Sequence, residues 1–115
     1  MKKNIVLDLS FEFALEIIEF AELLENNRKY VIANQILKSR TSIGANIREA
    51  QSAESKNDFI HKFKIADKEI RETKYWLMLC RKAKNYPNPD EEIINKLESL
   101  KKISSKIIIS SKQKL

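Results

Sequence analysis

The residues able to do chemistry are few, and their spacing limits what that chemistry could be. His61 is the only histidine and Cys80 the only cysteine. A di-iron or di-manganese centre in a helical bundle takes carboxylates together with two Glu-x-x-His motifs on facing helices, and His61 with Asp58 one turn before it does not supply them. Cys80 has no second histidine to serve as its base, so it reads as packing rather than as a nucleophile. Neither a glycine-rich phosphate loop nor a serine nucleophile elbow occurs. Glu69 and Glu72, one turn apart and with Glu49 as a third carboxylate, have the spacing of an acid–base pair. Arg40, Lys68 and Arg71 are available to them as partners, however, and ion-pair networks are commoner than catalytic dyads. The expectation is a protein without catalytic residues, metal or cofactor and without an evident small-molecule substrate.

The carboxylates matter more for what they could hold in place. Ile36, Arg40, Ile43, Ile47 and Ala50 follow steps of four and three, which puts Arg40 inside an apolar helix stripe. Ser42, Asn46, Glu49 and Ala53 form a second stripe beside it, small or polar throughout. A guanidinium on such a seam needs an acceptor. Glu72, Glu69 and Glu49 are the candidates, with Asn46 in support, and the set Arg40, Ser42, Asn46, Glu49, Glu69 and Glu72 reads as a polar network that sets how helices or subunits pair. Gly44, inside the same helix, costs about 1 kcal/mol against alanine. Close approach of a neighbouring helix backbone is the expected reason for it.

The elements that must position these groups are helices. The chain has 115 residues with one glycine and two prolines, and it is rich in charge. That composition favours one helical domain, residues 1–115, over any sheet fold. After a lead-in from Met1 to Leu7, Asp8 or Ser10 is placed to cap a first helix, with Phe13, Ile17, Phe20 and Leu24 on one seam. Phe11, Ala14, Ile18 and Ala21 lie on a second, so that helix should touch two neighbours. A second helix is expected over about 29–53. Ser55 and Asp58 cap a third, whose seam runs through Phe59, Phe63, Ala66, Ile70, Thr73, Leu77 and Cys80 to about Lys84. Tyr86-Pro-Asn-Pro89 then starts a fourth, capped by Asn88, carrying Ile93, Leu97, Leu100, Ile103 and Ile107. The predicted class is all-α, an antiparallel up-down-up-down four-helix bundle.

Two blocks carry a resemblance. Gln35-Ile-Leu-Lys-Ser-Arg-Thr-Ser-Ile-Gly-Ala-Asn-Ile-Arg-Glu-Ala50 and Ser55-Lys-Asn-Asp-Phe-Ile-His-Lys-Phe-Lys-Ile-Ala-Asp-Lys-Glu-Ile-Arg-Glu-Thr-Lys-Tyr-Trp-Leu77, in this order and at this distance, are similar to the four-helix-bundle proteins of the 23S ribosomal RNA intervening-sequence family. The resemblance implies a four-helix protomer assembled into a homopentameric ring, with no established activity. The accessory protein of diversity-generating retroelements is similar in fold, and it works with nucleic acid and a reverse transcriptase.

The net charge of +6 points towards nucleic acid, but its distribution tempers that. Asp8 to Glu25 holds six acids and no base, whereas Lys96 to Leu115 holds six lysines and one acid. Opposite faces of this kind can neutralise each other within or between subunits. Two readings from different classes follow. The first is an interaction or scaffold module that assembles with itself. The second is a nucleic-acid-binding accessory protein, touching RNA or DNA phosphates through Arg81, Lys82, Lys84, Lys101, Lys102 and Lys106. Aromatic side chains are not interleaved with those bases, so stacking recognition is not indicated. The single cysteine and the lack of a signal peptide or long apolar run point to the cytoplasm, with no membrane partner.

If Arg40 is buried and paired, its loss strands a carboxylate, at a cost of about 3 to 5 kcal/mol. Arg40→Ala should therefore lower the unfolding midpoint in urea far more than Arg48→Ala, which lies off both stripes. Equal midpoints would remove Arg40 from the organising seam.

Overall fold

The computed structural model describes residues 4–113, apart from the side chains of Arg40 and Thr41. Within them the chain forms four α-helices and no strand: α1 (Ile5–Asn26), α2 (Tyr30–Ala50), α3 (Lys56–Lys82) and α4 (Glu91–Gln113). The first starts earlier than Asp8 or Ser10. Asn4 is its cap, its side-chain oxygen accepting from the Leu7 amide at 3.2 Å, and the Ser10 hydroxyl donates to the Leu7 carbonyl inside the helix. Asn4 also donates to the Gln51 side chain at 3.0 Å, which ties the start of α1 to the end of α2. The Ser55 hydroxyl accepts from the Asp58 amide at 3.0 Å, and Asp58 accepts in turn from the Glu54 amide, so α3 is capped as its sequence suggests. At α4 the cap is Asp90 rather than Asn88, with Asp90 Oδ1 accepting from the Ile93 amide at 3.0 Å. A carboxylate two residues later suits the positive helix end better than a neutral amide does.

Each seam buries against two others. Phe13, Ile17, Phe20 and Leu24 of α1, Ile36, Ile43 and Ile47 of α2, Phe63, Ala66, Ile70 and Leu77 of α3, and Ile93, Leu97 and Leu100 of α4 make one core. Helix α1 packs on α2 and α4, and α3 packs on the same two; neither diagonal pair comes as close among the described residues. The extents of 48 × 26 × 21 Å fit two helix diameters each way, a square of four rods. Arg28, at φ 62°, turns the chain from α1 into α2, and Lys29 sits 4.6 Å above the Tyr86 ring, joining that turn to the α3–α4 loop.

On α4 the seam departs from expectation. Ile93, Leu97 and Leu100 are followed into the core by Ser104, while Ile103 and Ile107 are only partly covered. The 93, 97, 100, 104 series keeps the four-three alternation that a step to 103 would break. Its consequence is a buried hydroxyl, Ser104 Oγ, without a hydrogen-bond partner. A stranded hydroxyl costs about 1–3 kcal/mol, so Ser104→Ala should raise the unfolding free energy in urea by about 1 kcal/mol. A loss of stability would mean that the hydroxyl is satisfied in solution.

Candidate functional site

The polar stripe of α2 is satisfied largely within its own surroundings. Asn46 Nδ2 donates to the Ser42 carbonyl at 2.7 Å, one turn back on the same helix. Glu49 is exposed and pairs with Lys62 of α3 at 3.2 Å. The side chain of Arg40 lies outside the described residues, so the pairing expected for it is not tested. Glu69 is half-buried and Glu72 exposed on α3. Burial first, then the charge of Glu72 and a hydrogen bond between the two carboxyls, raise the Glu69 pKa above its ordinary value, while Lys68 and Lys38 pull the other way.

Gly44 does not mark a close approach within the protomer. A Cβ built there meets no atom within 4 Å. The glycine instead floors an open hollow of about 370 Å³ between α1 and α2, walled by Phe11, Ala14, Leu15 and Ile18 on one side and Ala45 and Arg48 on the other. Asp8 and Glu12 continue it at the rim. The second seam expected on α1 is therefore only partly covered: Ala21 is buried, Ala14 and Ile18 are half-buried, and Phe11 is 59% exposed with Leu15 beside it at 49%. Sequence periodicity identified Phe11 and Ile18 as apolar positions but did not show that they would be left open. It placed Arg48 off the stripes, whereas Arg48 lines this hollow. The only available signal was the width of the α1 arc, together with a glycine inside a helix.

The six basic candidates do not gather into one patch. Arg81 is bound to Glu91 at 2.6 Å, and Lys82 and Lys84 are exposed at the end of α3. Lys101, half-buried, and Lys102 and Lys106, exposed, lie farther along α4. Fifteen residues separate Glu91 from Lys106, about 22 Å of helix. The opposed charge of α1 and α4 meets at one part-buried bridge, Lys96 Nζ to Glu16 at 3.0 Å, with Glu92 also on Lys96 at 3.3 Å. Of the two reactive side chains, Cys80 is buried, and burial pushes its thiol up to about 11, which leaves almost no thiolate at neutral pH. His61 is exposed. Among the described residues no three His, Cys, Asp or Glu side chains are grouped to hold a metal ion, and no helix is long and apolar enough to cross a membrane.

The sequence model of the 23S rRNA-intervening sequence proteins matches residues 2–108. Among solved structures, a protein of unknown function from the S23 ribosomal protein family of Bacteroides thetaiotaomicron VPI-5482 superposes with a TM-score of 0.83 at 45% identity, covering 90% of this chain and 97% of the other. No curated protein matches.

The Glu69 shift sets a pH dependence. A carboxyl whose pKa is raised by folding binds its proton more tightly in the folded state, so stability falls as pH rises from the ordinary value of 4.5 through the folded one, and the penalty persists above it. Glu69→Gln should melt higher than the parent at pH 7 and close to it at pH 4. A lower melting point at pH 7 would show instead that the ionised Glu69 is held by a cation.

Proposed function

Because this chain belongs to the family of 23S rRNA-intervening sequence proteins, we propose that it is a non-enzymatic assembly module, a single four-helix domain that closes with copies of itself into a ring and offers that ring as a scaffold. The observation that carries this reading is the open apolar hollow between α1 and α2, with Phe11 and Leu15 at its edge and bare Gly44 as its floor. Apolar surface concentrated in a groove and rimmed by charge is typical of a contact site. The five-fold number rests on the family resemblance. An up-down-up-down course of the helices supports the reading, because Asn4–Gln51, Glu49–Lys62, Lys74–Glu98 and Arg81–Glu91 each join the end of one helix, or a midpoint, to the matching level of its neighbour. The cytoplasm is the proposed location.

A second reading is contact with RNA or DNA phosphates, favoured by exposed Lys102 and Lys106 on α4. Binding of this kind weakens linearly on a logarithmic scale with added salt. A salt titration with a labelled RNA fragment tests it, and no binding at low salt would remove it.

For the assembly reading, sedimentation at micromolar concentration should give a mass near five chains of 13.5 kDa. Gly44→Leu should keep its helix content, since leucine is the better helix former, yet sediment at lower mass because the new side chain fills the hollow. A parent that sediments as one chain would overturn the reading.

A further inference from the structure

Cations without a bonded acid gather between α3 and α4, on the side of the bundle away from the hollow. Elsewhere Lys96, Lys62 and Arg81 are each held by a carboxylate of a neighbouring helix. Lys64 and Lys68 of α3, and Lys101, Lys102 and Lys106 of α4, form no ion pair among the described residues. Two bridges put these sets in register. Lys74 meets Glu98 at 2.9 Å and Arg81 meets Glu91 at 2.6 Å, seven residues on along α3 and seven back along α4. Counting the other way from Lys74, Arg71 comes level with Lys101, and Lys106 falls between the heights of Lys64 and Lys68. Helix phase turns both sets outwards on the same side. On α3, Lys64, Lys68, Arg71 and Tyr75 follow steps of four, three and four, on the exposed face beside the Lys74 and Arg81 line that meets α4. On α4, Lys102 and Lys106 lie one and two steps of four after Glu98, and each step carries the row about 40° further round towards solvent.

Acids are scarce on this face. Asp67 is tied to Arg71 at 3.0 Å and Glu98 to Lys74, and α4 has no acid after Glu98. Glu72 flanks the α3 row on its α2 side, where it lines a groove with Gln35 and Trp76. Glu98 shows the field that results. Its carboxyl is held below the ordinary carboxylate range, first by the hydrogen bond from Lys74, then, against the burial that would raise it, by the charges of Lys74, Lys101 and Lys102. A concentration of unpaired positive charge draws polyanions.

We infer that this α3–α4 face binds a single-stranded nucleic acid lengthwise, its phosphates on the two rows of cations and one unpaired base on Tyr75. This rests on the phosphate reading above and moves its centre to the middle of α3 and α4. Lys64 to Tyr75 spans about 16 Å, and successive cations along α3 are about 4.5 to 6 Å apart, close to the step between phosphates of an extended strand. Packed helices stand about 8 to 10 Å apart, so one backbone lying between the rows reaches both. Tyr75 selects a strand over a duplex. Its ring is 59% exposed and stands edge-on to Trp76, with centroids 5.3 Å apart and planes at 66°, so it is braced from one side and open to solvent on another. A base stacks on such a ring only when it is not already paired and stacked in a helix. RNA and DNA strands supply the same phosphates and bases.

Fluorescence anisotropy of the full chain with labelled oligo-U and oligo-dT of about twelve nucleotides, across a salt series, tests the site and separates RNA from DNA. Log affinity should fall with log salt by about 0.7 for each phosphate neutralised. Lys64→Gln combined with Lys68→Gln should lower that slope by about 1.4 and weaken binding at low salt about tenfold. Lys82→Gln combined with Lys84→Gln removes the same charge at the end of α3 and should leave the slope as it is. Tyr75→Ala should weaken strand binding about fivefold or more at an unchanged slope. All the substituted residues are exposed, and circular dichroism checks that each variant keeps its helix content. A slope that stays the same without Lys64 and Lys68 overturns this site and leaves the phosphate reading standing. A duplex bound as tightly as the strand, or Tyr75→Ala without effect, overturns the single-strand assignment. Polyglutamate bound as tightly as the strand assigns the face to an acidic protein chain and overturns the proposal. No binding of either strand at low salt overturns both this site and the phosphate reading.

Discussion

Helix α1 has more apolar surface than one bundle core can cover, and the rest of the molecule follows from that excess. Phe13, Ile17, Phe20 and Leu24 take the places facing α2 and α4. Once they are seated, the helix has no further rotation that would also bury Phe11 and Leu15, since a stripe much wider than about 100° cannot face inward at once. Burial of a large apolar side chain is worth about 1.5–3 kcal/mol, so two such groups at the edge of a hollow form a standing drive towards association. The glycine beneath them keeps the hollow open: any larger side chain at Gly44 would stand in it.

Charge decides which association that drive produces. A face bearing Asp8, Glu12, Glu19 and Glu22 repels another of its kind, so two α1 faces do not pair symmetrically. Such a face favours a neutral or basic surface against it, and with a net charge of +6 the chain has cations to supply one.

Most of the fold was legible because it rests on local rules. Four amphipathic segments, the Ser55 cap, the Phe13 seam of α1 and the α3 seam from Phe63 to Cys80 appear where steps of three and four place them, whereas at the start of α3 Ile60 is buried and the expected Phe59 only partly covered. The differences have local causes too. Asn4 outcompetes Asp8 and Ser10 as the first cap because a hydrogen bond to the Leu7 amide extends α1 by nearly a turn, and Ser104 replaces Ile103 in the core because helix phase outranks residue polarity. The site was only half legible. Periodicity names the apolar positions of α1, but which of them remains uncovered depends on how α2 lies against it, and that is a tertiary fact. Gly44 illustrates the limit: the sequence shows that it needs a reason, and only the structure shows that the reason is open space rather than a touching backbone. Similarly, Glu49 has several cations within reach along the chain, and packing selects Lys62.

The central claim is that a second copy covers Phe11 and Leu15 in solution. Hydroxyl-radical footprinting at micromolar concentration tests it most directly, with Val31, 74% exposed on α2, as the internal reference for an uncovered aliphatic side chain. The account predicts that Phe11 and Leu15 are oxidised far more slowly than their exposure in a single protomer implies, while Val31 reacts at the rate of a free surface residue. Oxidation of Phe11 and Leu15 at the rates expected for the isolated protomer would contradict it.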